Sequence, residues 1–133
     1  MYEAEFNLGL MAHYGRGTNQ DYVQAMNHYI KASAKSIPEA DLNIAFLHHY
    51  GLGTAVNLDK SFEYFTKAAK HNFPQAQYHL GLIYQNGQSV KKDLNQANYW
   101  FEKAAEQNLD EAKLMTAALA LREPNDVDFY KVN

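Results

Sequence analysis

The sequence predicts an all-α fold built from consecutive helix pairs of constant length. Three observations predict it: a repeat of fixed length, apolar residues at helical spacing, and helix-start and helix-end residues that recur with the repeat. One alanine recurs every thirty-six residues, at Ala4, Ala40, Ala76 and Ala112. Further residue classes keep the same register without a gap, so the repeat is a structural unit rather than an accident of composition.

The first helix of each repeat begins near this alanine and ends at a glycine. In the second repeat Ala40, Ile44 and Leu47 fall three or four residues apart, the spacing of one face of an α-helix. Gly51 then ends the helix, since glycine readily adopts the left-handed backbone found after helix C-termini. A small residue recurs in mid-helix, where glycine costs about 1 kcal/mol relative to alanine, so a neighbouring helix is expected to approach closely there. These small residues are Gly9, Ala45, Gly81 and Ala117.

The second helix of each repeat begins after a side chain that can accept hydrogen bonds from the first helical turn. The predicted N-caps are Asp21, Asn57 and Asp93. An apolar stripe at helical spacing follows each cap. Between repeats, asparagine tolerates a left-handed position after a helix, and proline suits the first turn of the next helix. The links are Ser36-Ile37-Pro38, Asn72-Phe73-Pro74 and Asn108-Leu109-Asp110.

The third repeat resembles the Sel1-like repeat of the tetratricopeptide-like superfamily. The matching stretches are Ala76-Gln-Tyr-His-Leu-Gly-Leu-Ile-Tyr84, Gly87, Asp93-Leu-Asn-Gln-Ala97 and Tyr99-Trp-Phe-Glu-Lys-Ala-Ala105. The first two repeats keep the Gly-x-Gly link of the family between their helices, whereas the third has Ser89 in place of the second glycine. The resemblance implies a right-handed α-α solenoid superhelix of three helix pairs plus a partial fourth.

A single Sel1-like domain is expected over residues 1–133, a length that suits one domain better than two. The repeats are expected at about residues 2–37, 38–73 and 74–109. A partial capping repeat is expected at 110–123 and a tail at 124–133. The fourth unit lacks the Gly-x-Gly link, as terminal repeats of solenoids are often atypical.

Composition narrows the possible partners. Apolar residues make up 47% of the chain and charged residues 20%, a balance typical of a folded protein. The net charge is −3 and the lysines are scattered, so no nucleic-acid partner is predicted. No apolar run approaches the roughly eighteen residues of a spanning helix, and the start does not resemble a signal peptide, so no membrane insertion is predicted. Because the chain has no cysteine, its compartment cannot be inferred from disulfides.

The resemblance implies a scaffold or adaptor that binds a protein or peptide, since similar proteins are mostly adaptors in bacterial envelope assembly, host interaction or signalling. In stacked helix pairs the first helices line the concave face. If the concave positions follow those of tetratricopeptide-like pairs, as the resemblance implies, the groove contains Phe6, Leu10, His13, Tyr14, Leu42, Phe46, His49, Tyr50, Tyr78, Leu82, Gln85 and Asn86. Alternatively, with so few repeats, these residues pack on one another. Two other functions stay open: an envelope- or cell-wall-associated hydrolase or its regulator, and a structural spacer.

No catalytic, cofactor-binding or metal-binding residue is predicted. His48 and His49 point about 100° apart on a helix and would not chelate one ion, and a third ligand is not evident. Ser89 and Lys92 formally satisfy an S-x-x-K motif but lack its companion elements. The Gly-x-Gly links follow no strand and precede no G-K-[ST], so they are turns rather than phosphate loops. The oligomeric state is not predicted.

Overall fold

A computed structural model of the chain describes residues 2–121, which form seven α-helices and no strand. Six of these helices form three pairs, and the seventh is the last helix within residues 2–121. The helices are α1 (Tyr2–Tyr14), α2 (Tyr22–Ser33), α3 (Pro38–Tyr50), α4 (Leu58–Lys70), α5 (Pro74–Asn86), α6 (Leu94–Glu106) and α7 (Asp110–Ala120). The predicted all-α class of three helix pairs plus a partial fourth is confirmed. The predicted tail at 124–133, and the last two residues of the predicted capping repeat, lie outside the described residues.

The chain divides into two compact units, Met1–His71 and Asn72–Asn133. The first unit contains α1 to α4, and the described part of the second contains α5 to α7. In the first unit α1 packs on α2, α2 on α3, and α3 on α4. In the second unit α5 packs on α6, and α6 on α7. Sequential packing of this kind is what a chain of helix pairs produces, because each repeat packs mainly against the repeats next to it in the chain.

The second helix of each pair begins where the sequence places its cap. Oδ1 of Asp21 accepts a hydrogen bond from the Gln24 amide at 3.0 Å. Asn57 accepts one from the Lys60 amide at the same distance, and Asp93 caps α6 in the same way. Each cap satisfies an amide that the helix itself leaves without a partner, so the three predicted N-caps are confirmed.

The turns between helices also follow the predicted pattern. Gly51 ends α3 with a φ of 69°, a left-handed conformation that suits glycine. In the links between repeats, Ser36, Asn72 and Asn108 are left-handed, with φ of 63°, 66° and 66°. Pro38 occupies the first turn of α3, where its missing amide hydrogen has no partner to lose. These local choices fix the same turn in successive repeats.

The mid-helix glycines let an aromatic ring of the paired helix lie against the backbone. A Cβ atom added at Gly81 would be 2.6 Å from two ring carbons of Phe101. A Cβ atom at Gly9 would be equally close to the ring of Tyr29. Both rings are fully buried, with an exposed fraction of 0%. The predicted close approach is confirmed at Gly9 and Gly81, where it explains a residue that otherwise weakens a helix, whereas Ala117 on α7 is exposed.

Each unit has its own apolar core around such a ring. In the first unit the core is formed by Ala12, Ala25, Met26, Tyr29, Ala32, Ala40, Ile44 and Leu47. In the second unit Phe101 packs with Ala97 and Leu119, and partly buried residues of α5 and α7 cover this group. Alanines beside the rings allow the helix backbones to come close, so small and large side chains interlock.

Candidate functional site

The end of α1 carries a group of rings around His13. The His13 ring stacks on Tyr14, with centroids 4.4 Å apart, and meets the edge of Tyr22 at 5.4 Å. Its Nδ1 lies 2.9 Å from the buried hydroxyl of Tyr29. Burial lowers the pKa of His13 below the usual value of 6.5. His13 therefore supports the rings around it, and it presents less surface than Tyr14.

Tyr14 is the exposed member of this group. Its side chain is 56% exposed although it stacks on His13. The guanidinium carbon of Arg16 lies 5.4 Å from the centroid of the Tyr14 ring, a cation-π contact. Earlier on α1, Phe6 is half-buried 5.9 Å from the Tyr29 ring, and Leu10 is also half-buried. Of the four predicted residues on α1, Tyr14 is therefore exposed, whereas Phe6, Leu10 and His13 are half-buried.

The end of α3 repeats this arrangement one period later. The Tyr50 ring stacks on Phe46 at 6.2 Å and meets His49 edge-on at 4.6 Å. Phe46 in turn meets the edge of the buried Phe65 ring at 5.3 Å. Tyr50 is 62% exposed, whereas Leu42 is buried and offers little surface. An exposed tyrosine held by neighbouring rings is therefore common to both helix ends.

His48 faces a different environment from its neighbour His49. Its ring stacks on Tyr64 at 6.3 Å, and its buried Nδ1 has no hydrogen-bond partner among the described residues. Burial is the main cause that lowers the pKa of His48 below 6.5. The two adjacent histidines therefore do not act as a pair.

The predicted residues on α5 are more polar at the helix end. Tyr78 lies 5.9 Å from the Phe101 ring and is half-buried, as is Leu82. Gln85 is half-buried and Asn86 is exposed. The structure brings His13 together with Tyr14, and Tyr50 together with Phe46 and His49. The continuity of these residues in one groove stays a prediction.

A buried polar group in the first unit was not predicted from the sequence. The Ser33 hydroxyl on α2 donates to a carboxylate oxygen of Asp41 on α3. Nζ of Lys67 on α4 donates to Ser33 Oγ at 3.0 Å and lies 3.6 Å from Asp41 Oδ1. Asp41 is fully buried, and its Oδ2 has no hydrogen-bond partner within residues 2–121. Three helices therefore meet at one carboxylate.

Burial raises the pKa of Asp41 above its usual value, and the Ser33 hydroxyl and Lys67 ammonium oppose that rise. Ser33 is only 5% exposed, and its hydroxyl donates its hydrogen to Asp41. It is thus not available to a substrate as a nucleophile. The contact of Ser33, Asp41 and Lys67 joins three helices. In the sequence, the signal that could have found it is an aspartate directly after Ala40, the recurring alanine of the first helix.

The second unit has an amide group at the same register. Gln77 lies thirty-six residues after Asp41 and is likewise buried. Nε2 of Gln107 donates to Gln77 Oε1 at 3.0 Å and to the Asn72 carbonyl at 2.9 Å. Nε2 of Gln77 donates to Asn72 Oδ1 at 3.1 Å. These contacts join the start of α5 to the end of α6 without any charge.

The part of the chain that the structure describes has neither a cluster of metal ligands nor a membrane-spanning helix. Over residues 2–121, no group of three or more histidine, aspartate or glutamate side chains could hold a metal ion. None of the seven helices is both long enough and apolar enough to span a membrane.

Helix pairs that recur at a constant spacing, with similar caps and turns, define an α-α repeat protein. The family model of the Sel1 repeat matches residues 3–36, 38–73 and 74–109. The chain belongs to the Sel1 repeat family, as its repeat pattern predicted. A comparison with curated protein sequences gives no match.

Solved structures show the same fold. A protective antigen of uropathogenic Escherichia coli that displays an SLR fold is 36% identical, with a TM-score of 0.82 over 84% of this chain. The chain spans only 24% of that antigen. A Sel1 repeat protein from Oxalobacter formigenes is 32% identical, with a TM-score of 0.82 and 88% of each chain covered. Cysteine rich protein B of Helicobacter pylori is 21% identical, with a TM-score of 0.72. The match covers 86% of this chain and 88% of the Helicobacter pylori protein.

Proposed function

We propose that this chain is a protein-interaction module that binds a peptide or protein segment along the first helices of its repeats. The Sel1 repeat is typically a protein-interaction scaffold. The observation that supports a site on the first helices is the pair Tyr14 and Tyr50. Both are more than half exposed, both end a first helix, and each stacks on a ring of its own helix.

Tyrosines held in this way suit recognition for a physical reason. A binding partner must offset the entropy lost when interface side chains become fixed, at about 0.5–1.5 kcal/mol for each flexible side chain. Stacking of Tyr50 on Phe46, and of Tyr14 on His13, already restricts these side chains in the free protein. Each ring also offers apolar area together with a hydroxyl that can donate or accept a hydrogen bond.

The chemistry around the two tyrosines suits an extended segment with apolar side chains and acceptor groups. Arg16 beside Tyr14 adds a positive charge, and His49 beside Tyr50 adds a polar ring. Aromatic and arginine side chains are the residue types that most often dominate binding energy at interfaces. The proposal assigns the chain no catalytic step, cofactor or metal ion.

The test compares the protein with a Tyr14→Ala, Tyr50→Ala double variant in affinity capture with quantitative mass spectrometry. Both side chains are exposed, so the variant is expected to keep its helical signal and melting. A dominant interface residue contributes about 2 kcal/mol, which is about thirty-fold in Kd, so loss of both should remove capture of a specific partner. The partner is then made recombinantly and its affinity for each protein is measured.

The matched control is Tyr99→Ala, which removes a tyrosine of similar exposure from the second helix of the third repeat. A partner that is lost with Tyr14 and Tyr50 but kept with Tyr99→Ala supports binding along the first helices. A partner captured equally by the double variant would remove this site, even if the protein still acts as a scaffold through another surface.

A further inference from the structure

The first repeat has a buried hydroxyl group at a register where the other two repeats have none. Tyr29 on α2 stands at the position of Phe65 on α4 and Phe101 on α6, and all three rings are buried. A phenylalanine therefore satisfies the packing at this register. A buried hydroxyl is costly unless it is hydrogen-bonded, so the oxygen of Tyr29 needs partners of its own.

Two neighbouring helices supply these partners. The Tyr29 oxygen lies 2.9 Å from Nδ1 of His13 on α1. It also hydrogen-bonds to the side chain of Asn43 on α3, and this contact opposes the rise that burial causes in the pKa of Tyr29. A hydrogen bond that lowers the pKa of a phenol is one that its oxygen accepts. Asn43 is therefore the donor, and the hydroxyl hydrogen of Tyr29 is left for His13.

The direction of this hydrogen bond fixes the tautomer of His13. Burial raises the pKa of Tyr29, so its hydroxyl keeps the hydrogen that it donates to Nδ1. Burial also lowers the pKa of His13 below 6.5, so the imidazole is neutral near pH 7. In a neutral imidazole one ring nitrogen accepts and the other carries the hydrogen. Because Nδ1 accepts, the hydrogen of His13 is on Nε2.

Nε2 of His13 is accessible at the surface. It has no hydrogen-bond partner within residues 2–121, and it is not one of the buried polar atoms that lack a partner. The ring is held by Tyr14, which stacks on its face, and by Tyr22 at its edge. Gln20 donates to the His13 carbonyl and to the Tyr22 hydroxyl, at 3.0 Å in each case. His13 thus presents a donor of fixed direction beside the exposed Tyr14.

The equivalent position stays open where another helix pair precedes it. His49 and Tyr50 on α3 stand at the register of His13 and Tyr14, and α2 packs on α3. Tyr50 is nevertheless 62% exposed, and His49 is half-buried. Stacking of one repeat before another therefore leaves this end of a first helix accessible to a ligand. Because Phe65 has no hydroxyl, however, no phenol fixes the tautomer of His49.

We propose that the segment bound along the first helices places an oxygen acceptor, from a carbonyl or a carboxylate, on Nε2–H of His13. This rests on the proposed function and adds the chemistry that the ligand presents beside Tyr14. Tyr29 and Asn43 are positioning residues, which hold the donor in the required tautomer without touching the ligand. A segment with a donor at this point is rejected, because two hydrogens would then face each other.

The tautomer is measured first, by ¹⁵N NMR of histidine-labelled protein near neutral pH. His13 should be almost entirely in the Nε2–H form. In Tyr29→Phe the Nδ1–H form should rise about tenfold, the effect of losing one buried hydrogen bond, while the melting curve stays cooperative. Tyr64→Phe, which removes the hydroxyl of a half-buried tyrosine on α4, is the matched control and should leave the His13 signals unchanged. An Nδ1–H form of His13 in the wild type, or no change with Tyr29→Phe, would overturn the proposal.

Ligands are then selected from a random peptide-display library, and those whose binding the Tyr14→Ala, Tyr50→Ala variant abolishes are made as synthetic peptides. Tyr29→Phe and His13→Phe should each weaken their binding about tenfold, and Tyr64→Phe should leave Kd unchanged. Peptides that need Tyr14 and Tyr50 but bind Tyr29→Phe and His13→Phe with wild-type affinity would overturn this proposal and leave the proposed function standing. If no selected peptide needs Tyr14 and Tyr50, both proposals fall.

Peptide variants identify the source of the acceptor. Replacement of an acidic side chain by alanine, amidation of the C-terminus and thioamide substitution of a backbone carbonyl each remove or weaken one oxygen. The variant that removes the acceptor should weaken binding to the wild type about tenfold and binding to His13→Phe hardly at all, because the partner is already gone. Losses of equal size with both proteins, for every peptide variant, would show that no ligand oxygen meets His13.

Discussion

One position in the first helix carries a charged contact in the first unit and a neutral one in the second. Asp41 meets Ser33 and Lys67, whereas Gln77, thirty-six residues later, meets Asn72 and Gln107. Both side chains are almost completely buried. The repeat therefore sets where a polar side chain can join neighbouring helices, and it leaves the charge of that side chain free to vary.

The difference in charge has energetic consequences. Removing a carboxylate from water is costly unless an opposite charge and hydrogen bonds replace the lost hydration. Asp41 receives these from Ser33 and from Lys67, whose side chain is 44% exposed. The amides of the second unit have no charge to bury, and each hydrogen bond contributes about 0.5–1.5 kcal/mol. The first contact should consequently be more sensitive to the loss of one member.

The largest effect is expected for Lys67→Met, which leaves Asp41 without its nearest cation. Breaking a buried pair costs about 3–5 kcal/mol, and partial exposure of Lys67 should keep the loss near or below about 3 kcal/mol. The free energy of unfolding is measured by urea denaturation near pH 7. The matched control is Lys103→Met, at the same register of the third repeat.

Lys103 lies 5.7 Å from the centroid of the Tyr99 ring, and the position equivalent to Asp41 is the neutral Gln77. A cation-π contact at such a surface contributes about 0.5–1 kcal/mol, so the control should lose no more than that. Equal losses from both lysine substitutions would mean that the charge of Asp41 does not distinguish the two positions.

A smaller effect is expected for Gln107→Ala in the second unit. It removes the amide that donates to Gln77 Oε1 and to the Asn72 carbonyl. Gln107 is exposed, so water can replace part of these hydrogen bonds, and the loss should be about 1 kcal/mol. Urea denaturation measures it, with Glu106→Ala as a neighbouring exposed control. A loss as large as that of Lys67→Met would contradict the proposed difference between the two contacts.

Much of the fold follows from local chemistry and was predicted from the sequence. Asp21 and Asn57 accept from helix amides, Pro38 begins a helix, and Asn72 adopts a left-handed backbone, each for reasons that act within a few residues. Because the repeat length is constant, the same feature could be predicted at the equivalent residue of each repeat. These features could be predicted because no distant part of the chain decides them.

The candidate sites were predictable only in part. Tyr14 and Tyr50 are exposed, but Leu42 in the same predicted set is buried, because register does not tell which side chains a neighbouring helix covers. Leu8 shares its register with the buried Ile44, yet it is exposed because nothing in the described chain packs on that side of α1. Contacts across helices decide these outcomes, and a periodic pattern carries little information about them.

The contact around Asp41 was missed for a related reason. Ser33 aligns with alanines in the other repeats, at Ala69 and Ala105, so the repeat comparison marks it as a small core residue. Its role depends on the aspartate eight residues later and on a lysine of the next helix pair. Departures from the repeat, rather than agreement with it, would have been the signal.

The smallest expected effect is a change of stability with pH, since Ser33 and Lys67 both oppose the rise in the pKa of Asp41. The folded-state pKa of Asp41 lies above the usual value of 3.8. At pH values between the two, the folded chain therefore keeps a proton on Asp41 that the unfolded chain has lost. This contribution is fully present below that usual value and is lost as pH rises through the folded-state pKa. The stability of the wild type minus that of Asp41→Asn should therefore fall with rising pH and then become constant.

The subtraction also removes the opposite trend of His13 and His48, whose lowered pKa values make stability fall as pH drops below 6.5. Gln77→Glu sharpens the comparison, because it places a carboxyl group at the same buried register of the second unit. Relative to the wild type, that variant should acquire a stability contribution that falls with rising pH. If the difference curve for Asp41→Asn were flat from about pH 3 to about pH 7, burial at this register would not control ionisation, and the charged and neutral contacts would be equivalent ways of joining the helices.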